Sequence, residues 1–278
     1  MSHIATLAST EELAQHTEWR VFDCRHDLAE PAAGEQQYRE AHLPGALHAH
    51  LDRDLSAAKN GRNGRHPLPE AKAFIAWLGR QGLKPTDTVV CYDAGPGAMA
   101  ARLWWMLRWV GHEQAAVLDG GLAKWQREGR PVTAEAPQFE AAHYPGKAKA
   151  SMHASLALVE KKLKRAALLD ARAPARYRGE QEPIDPVAGR IPGAKNRFNN
   201  DNLSAEGVFK SPDALRAEFQ AVLAGREPAE VIQYCGSGVA ACHNALAMEI
   251  AGLPGSRVYI GSWSEWSADP TRPIARSI

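Results

Sequence analysis

Cys235 stands at the end of the apolar run Val231-Ile232-Gln233-Tyr234 and is followed by Gly236-Ser237-Gly238-Val239-Ala240-Ala241. That order reads as a strand, a glycine-rich turn and a helix. In open α/β sheets, ligands bind at the carboxyl ends of strands. Two glycines flanking a serine let the turn curl tightly, so that several backbone N–H groups converge on one point at a helix start. A thiol held there has its thiolate favoured by the helix terminus and the converging donors, which makes Cys235 a nucleophile at neutral pH. Two other chemistries are excluded. A phosphate-cleaving cysteine loop must end in an arginine that clamps a dianion, whereas this region holds Ala240, Ala241 and Cys242. Cys235, Cys242 and His243 match no usual zinc-ligand spacing, so no metal is expected.

The elements that position this loop occur twice. Val21-Phe22-Asp23-Cys24-Arg25 is echoed by Leu168-Leu169-Asp170-Ala171-Arg172, and His42-Leu43-Pro44-Gly45-Ala46 by Arg190-Ile191-Pro192-Gly193-Ala194. The stretch from Val89 to Trp125 returns from Val231 to Trp266. These landmarks recur in the same order at a nearly constant offset of roughly 145 residues, which is far too long for a solenoid repeat and implies a duplicated domain. Within each copy, short apolar runs alternate with amphipathic stretches, the pattern of α/β units around a mostly parallel sheet. The expected strands are 19–23, 88–92 and 115–118 in the first copy, and 167–170, 231–234 and 257–259 in the second. The expected helices are 69–81, 97–110 and 122–128, then 153–164, 211–223 and 238–250. Residues 136–150, rich in Ala and Pro and without sustained period, are expected to link an N-terminal domain (1–135) to a C-terminal one (151–278).

Composition narrows the function classes. The 278 residues carry 33 Lys and Arg against 32 Asp and Glu, with 45% apolar residues, as in an ordinary globular protein. A net charge of +1 gives no electrostatic footprint for nucleic acid or an anionic membrane surface. The N-terminal residues show no secretory pattern, and no apolar run approaches the roughly 18 residues of a membrane span. Four cysteines without a Cys-x-x-Cys pair are too few for a disulfide framework, so a reducing, cytoplasmic setting is expected.

Taken together, the loop, the two x-[Leu/Ile]-Pro-Gly-Ala turns, the two Asp-x-Arg strand ends and the Gly-Gly-Leu-x-x-Trp and Gly-Ser-Trp-x-x-Trp endings resemble the two-domain rhodanese-type sulfurtransferases along nearly the whole chain. The Cys235-Gly236-Ser237-Gly238-Val239 loop is similar to that of the 3-mercaptopyruvate sulfurtransferases in particular. The resemblance implies two tandem rhodanese-like domains, each a mostly parallel sheet flanked by helices, with the active site in the cleft between them. The first-copy counterpart of Cys235 is Asp93, which cannot form a persulfide, so the N-terminal domain is expected to be catalytically silent. The implied chemistry has two steps: the Cys235 thiolate takes sulfur from a small anionic donor, and the persulfide passes it to a thiol, cyanide or a thioredoxin-like acceptor. No cofactor is implied, and two fused domains complete such a site as a monomer.

The resemblance also assigns residues. Ser237 matches a serine proposed to handle protons, Asp52 an aspartate supplied by the silent domain, and His66 a histidine, at a slightly longer spacing from Asp52 than is usual. Gly236, Gly238, Val239 and Ala240 form the anion-holding loop, and Arg176 matches the arginine that pairs with the donor's carboxylate or sulfonate, chemistry that suits a planar anion. The sequence departs from the pattern in two places. No second arginine occurs between Glu182 and Gly189, so Arg190 is expected to replace it, and Ala240 stands where a threonine is usual. Because Gly236 and Ser237 are neutral, 3-mercaptopyruvate is expected as donor ahead of thiosulfate. A reading from a different class is a non-catalytic rhodanese module that binds anions or proteins through the same loop; slow alkylation of Cys235 by iodoacetamide would mark it.

Overall fold

Apolar runs bounded by glycine and polar turns become the strands of the computed structural model, which describes residues 6–163 and 165–277. Met1–Ala5, Lys164 and Ile278 lie outside the described residues, and with Lys164 the expected end of the helix 153–164. The chain divides into two units. The first comprises Met1–Ala57, Pro69–Lys149 and Ala205–Phe209; the second comprises Ala58–Leu68, Ala150–Ser204 and Lys210–Ile278.

In the first unit, β1 (Leu7–Ala8), β2 (Arg20–Asp23), β3 (Ala46–His48), β4 (Val89–Tyr92) and β5 (Ala115–Leu118) form a parallel sheet in the order β1-β5-β4-β2-β3. In the second, β6 (Ala167–Asp170), β7 (Lys195–Asn196), β8 (Val231–Tyr234) and β9 (Arg257–Val258) form a parallel sheet in the order β7-β6-β8-β9. β4 and β8 are buried throughout, which is why β4 reads as an unbroken apolar run rather than an alternating one; in β8 the run is broken only by Gln233, which is fully buried and donates to Sδ of Met248. Each unit has its own core, one around Val21, Val90, Tyr92, Leu118 and Trp125, the other around Leu168, Ile232, Tyr234, Trp263 and Trp266. Among the described residues no helix is long and apolar enough to cross a membrane.

The expected elements form within a few residues of their limits, as with the helices Ala71–Arg80, Ala98–Trp109, Pro212–Leu223 and Ala240–Ile250. Short elements went unanticipated: β1, β3, β7 and the helices Thr10–Gln15, Ala33–Glu40, Pro174–Arg178 and Ser262–Trp266.

The duplication extends to individual hydrogen bonds. Arg25 forks onto Asp23 at the end of β2 and donates to the carbonyl of Ala41; Arg172 forks onto Asp170 at the end of β6 and donates to the carbonyl of Gly189. The backbone N–H of Leu43 donates to the hydroxyl of Tyr92, and that of Ile191 to the hydroxyl of Tyr234. Each Asp-x-Arg thus ties a strand end to the Pro-Gly turn after it. Gly45 and Gly193 take φ of 76° and 80° there, a conformation that only glycine adopts without strain.

The segment expected as a linker is built into the first unit instead. The Arg20 guanidinium lies 3.4 Å from the ring centroid of Phe139, the Tyr144 hydroxyl lies 2.8 Å from Nδ1 of His112, and the N–H groups of Ala142, Lys147 and Lys149 donate to Gly79, Val110 and Trp109. These backbone bonds have no side-chain period, so the sequence pattern could not reveal them. Conversely, residues 58–68, inside the expected first domain, cluster with the second unit.

Candidate active site

β8 delivers Cys235 to its carboxyl end, and the chain then turns through Gly236, Ser237 and Gly238 into the helix Ala240–Ile250. Gly238 has φ of 77°, and a Cβ there would lie 2.4 Å from the carbonyl oxygen of Ile260, so the tight turn requires glycine. The consequence is a loop folded over its own sulfur: the N–H groups of Ser237 and Gly238 point at Cys235 Sγ, at 3.4 and 3.1 Å. Val239 is the N-cap residue and supplies no side-chain cap, and Ala240 begins the helix, so the positive end of the helix faces the loop without a side-chain acceptor. The Cys242 thiol lies one turn along the helix and donates to the carbonyl of Gly238.

The loop is pinned from below by Ser262. Its hydroxyl accepts the Cys235 N–H at 3.1 Å and donates to the carbonyl of Tyr259 at 2.8 Å. Ser262 has φ of 55°, where its first-unit counterpart is Gly121 at 53°. The second unit thus keeps a strained serine at a glycine position, and the hydroxyl gained supports the Cys235 backbone.

Around the sulfur, the second unit gathers the expected residues Ser237, His66 and Arg176. Nδ1 of His66, on the segment Ala58–Leu68, lies 2.8 Å from Oγ of Ser237, and both residues are buried. Arg176, on the helix Pro174–Arg178, forks onto Glu182 and also pairs with Asp185 at 3.1 Å. Burial pushes the Glu182 carboxyl up, but Arg176 and the N–H groups of Asp185 and Ile184 outweigh it and leave the group below its ordinary range.

Two placements differ from expectation. Arg190 does not join this cluster: its guanidinium stacks on the Tyr177 ring at 4.4 Å and donates to the Tyr177 carbonyl and the Ser277 hydroxyl, holding the C-terminal segment. The guanidinium that does lie beside Arg176 belongs to Arg65, which is ion-paired with Asp185. No sequence signal singled out Arg65 beyond its place next to His66.

Asp52 belongs to the first unit, after β3. Its Oδ2 lies 3.8 Å from Nε2 of His26, and His50 is close by. Ligand atoms of His26, His50 and Asp52 fall within 4.8 Å of one another, the one grouping among the described residues with the composition of a metal site.

The first unit has the same loop with a different occupant. The Asp93 carboxylate accepts from the N–H groups of Gly95 and Gly97 at 2.9 Å, Met99 at 2.9 Å and Ala100 at 3.3 Å. Burial raises the Asp93 carboxyl above its ordinary range, with those four donors opposing the rise. A side-chain anion therefore fills the cradle that the second copy keeps around a thiol.

Comparison with known proteins shows the same duplication. The family model described as "Rhodanese-like domain" matches residues 6–128 and 155–269. A probable 3-mercaptopyruvate sulfurtransferase of Pseudomonas aeruginosa is 46% identical over 278 residues, covering 98% of each chain. A putative thiosulfate sulfurtransferase of Mycobacterium tuberculosis is 37% identical over 262 residues, covering 92% of this chain and 90% of that one. The solved structure of 3-mercaptopyruvate sulfurtransferase from Leishmania major superposes with a TM-score of 0.85 at 32% identity, covering 95% of this chain and 74% of that one.

Proposed function

This chain belongs to the rhodanese-like family of sulfurtransferases, and we propose that it moves sulfur from 3-mercaptopyruvate to a thiol or cyanide through a persulfide on Cys235. The observation that carries the reading is the pair of N–H groups from Ser237 and Gly238 aimed at Sγ. Such donors hold a thiolate, and they hold the terminal sulfur of a persulfide anion equally well.

In the first step, Cys235 thiolate attacks the donor's sulfur. The new S–S bond forms as the C–S bond breaks, its electron pair passes to the methylene carbon, and the thiol proton ends on that carbon to give pyruvate. Ser237 and His66 form the relay suited to carrying this proton, because the imidazole is hydrogen-bonded to the hydroxyl next to the reacting sulfur. Arg176, whose Nε and Nη2 are held by Glu182 and Asp185, meets the donor's carboxylate with Nη1. In the second step the acceptor attacks the outer persulfide sulfur and the thiolate leaves; with cyanide the product is thiocyanate. Each step balances without a redox partner or cofactor.

The neutral side chains of the loop favour a monoanionic donor. The test is a side-by-side kcat/KM for 3-mercaptopyruvate and thiosulfate with cyanide as acceptor. A preference of tenfold or more for mercaptopyruvate, about 1.4 kcal/mol of transition-state binding, supports the reading. A preference for thiosulfate overturns the donor but keeps the chemistry, and inertness with both, together with slow alkylation of Cys235, overturns the enzyme.

A further inference from the structure

Gly236 carries no side chain, and the space where its Cβ would stand is bounded by two guanidinium groups. A Cβ there would lie 2.8 Å from Nη2 of Arg65 and 3.5 Å from both terminal nitrogens of Arg176. Both cations therefore reach the residue next to Cys235. They share one carboxylate: Asp185 Oδ1 pairs with Arg65, and Oδ2 with Arg176. The Asp185 side chain is 2% exposed, against 24% for Arg65 and 17% for Arg176, so the carboxylate lies behind and the guanidiniums lie in front. Glu182 holds Arg176 on another side and also pairs with Arg172, which forks onto Asp170. Three arginines and three carboxylates are thus paired among themselves.

We propose that Arg65 is a donor-binding residue that meets the donor through Nη2 beside Nη1 of Arg176, and that Asp185 is a specificity-determining positioning residue. Glu182 offsets one of the two facing charges and Asp185 the other, so the site holds a carboxylate through directed N–H donors rather than net charge, which fits a monoanionic donor and not a dianion. This inference rests on the sulfurtransferase reading for its substrate, but not for its anion site. N–H donors from two guanidiniums satisfy the oxygens of a carboxylate. A dianion needs a net positive field to replace its water, and this cluster does not provide one. Arg65 precedes His66 on the same strand of chain, so the segment that brings the histidine to Ser237 also brings the second cation.

The test uses alkylation of Cys235 as well as turnover. The rate ratio of iodoacetate, a carboxylate, to iodoacetamide, its neutral counterpart, is measured on the full chain and compared with that of a free thiol. The ratio is expected to exceed the free-thiol value in the wild type, to fall about fivefold or more in Arg65→Gln, to recover in part in Arg65→Lys, and to rise in Asp185→Asn. In turnover, Arg65→Gln is expected to raise KM for 3-mercaptopyruvate about tenfold with little change in kcat, a loss of ground-state binding. Asp185→Asn is expected to shift the kcat/KM ratio toward thiosulfate by about fivefold or more, because Glu182 still holds Arg176. A ratio unmoved in Arg65→Gln overturns the role of Arg65; a donor ratio unmoved in Asp185→Asn overturns that of Asp185. If the wild type turns over neither donor, the functional reading fails, while the alkylation ratios still decide whether the two arginines form an anion site.

Discussion

Nδ1 of His66 and Oγ of Ser237 lie 2.8 Å apart although 171 residues separate them in the chain. The serine sits two residues past Cys235 and donates its own backbone N–H to Sγ. One residue therefore touches the sulfur through its main chain and the imidazole through its side chain.

If the pair works as a proton relay, its members act as a unit. His66→Ala and Ser237→Ala are each expected to lower kcat by about 10²–10⁴-fold, the range of general acid–base catalysis. The double variant is expected to be little worse than either single one. Additive losses in a double-mutant cycle of kcat would show that the two act separately.

Arg176→Ala should weaken the donor rather than the nucleophile. A hydrogen bond to a charged group contributes about 1.5–3 kcal/mol, so KM for an anionic donor is expected to rise about tenfold or more. The iodoacetamide rate at Cys235 is expected to stay near that of the wild type. Steady-state kinetics beside alkylation kinetics reads both, and an unchanged KM would remove the assigned role.

Asp93→Ala leaves four backbone donors around an empty space. Each unsatisfied buried donor costs about 1–3 kcal/mol, so the midpoint of thermal unfolding is expected to fall by several degrees. Added sulfate is expected to recover more of that loss in the variant than it adds to the wild type, since an anion can occupy the vacated cradle. Equal sulfate responses in the two proteins would show that the loop does not act as an anion cradle.

Acid should loosen the first unit. Burial holds the imidazoles of His26, His48 and His112 below the ordinary 6.5. The nearby carboxylates of Asp52 and Asp27 for His26, Asp23 and Glu35 for His48, and Asp87 and Glu113 for His112 pull the other way without restoring it. Below pH 6.5 the unfolded chain binds protons that the folded one refuses, so this stability is fully present above 6.5 and is lost as pH falls through the lower folded values. Each unit of depression is about 1.4 kcal/mol. The raised carboxyls of Asp93 and Asp119 act in the opposite sense. Amide exchange of β2 and β4 between pH 7.5 and 5.5, corrected for the intrinsic rate, is expected to show falling protection, with a shallower slope in His112→Gln. Constant protection would contradict the assignment.

The parts of the site that follow one another in sequence were legible there. The Cys235 loop, the two Asp-x-Arg strand ends and the two Pro-Gly turns each depend on neighbouring residues, so the order of types carried the geometry. Arg65 and Asp185 were not legible, because their meaning comes from folding residues 58–68 against a loop far along the chain. Arg190 had a plausible position and the right charge, but its guanidinium meets Tyr177 and Ser277, which spacing alone cannot foretell. Residues 136–150 show no period for a related reason: apart from Phe139 and Tyr144, which meet Arg20 and His112, their pairing with the first unit is through main-chain groups that every sequence possesses.

The carboxylate of Asp93 gives the molecule a built-in standard of measurement. One half holds a tethered occupant permanently, while in the proposed cycle the other alternates between a bare and a sulfur-loaded cysteine. Dynamics recorded on the loop 93–97 therefore define what a filled cradle looks like in this chain, at the same temperature and in the same sample. The distance of the loop 235–238 from that benchmark reports how far loading the cysteine has stiffened its surroundings, with no second protein needed as a control.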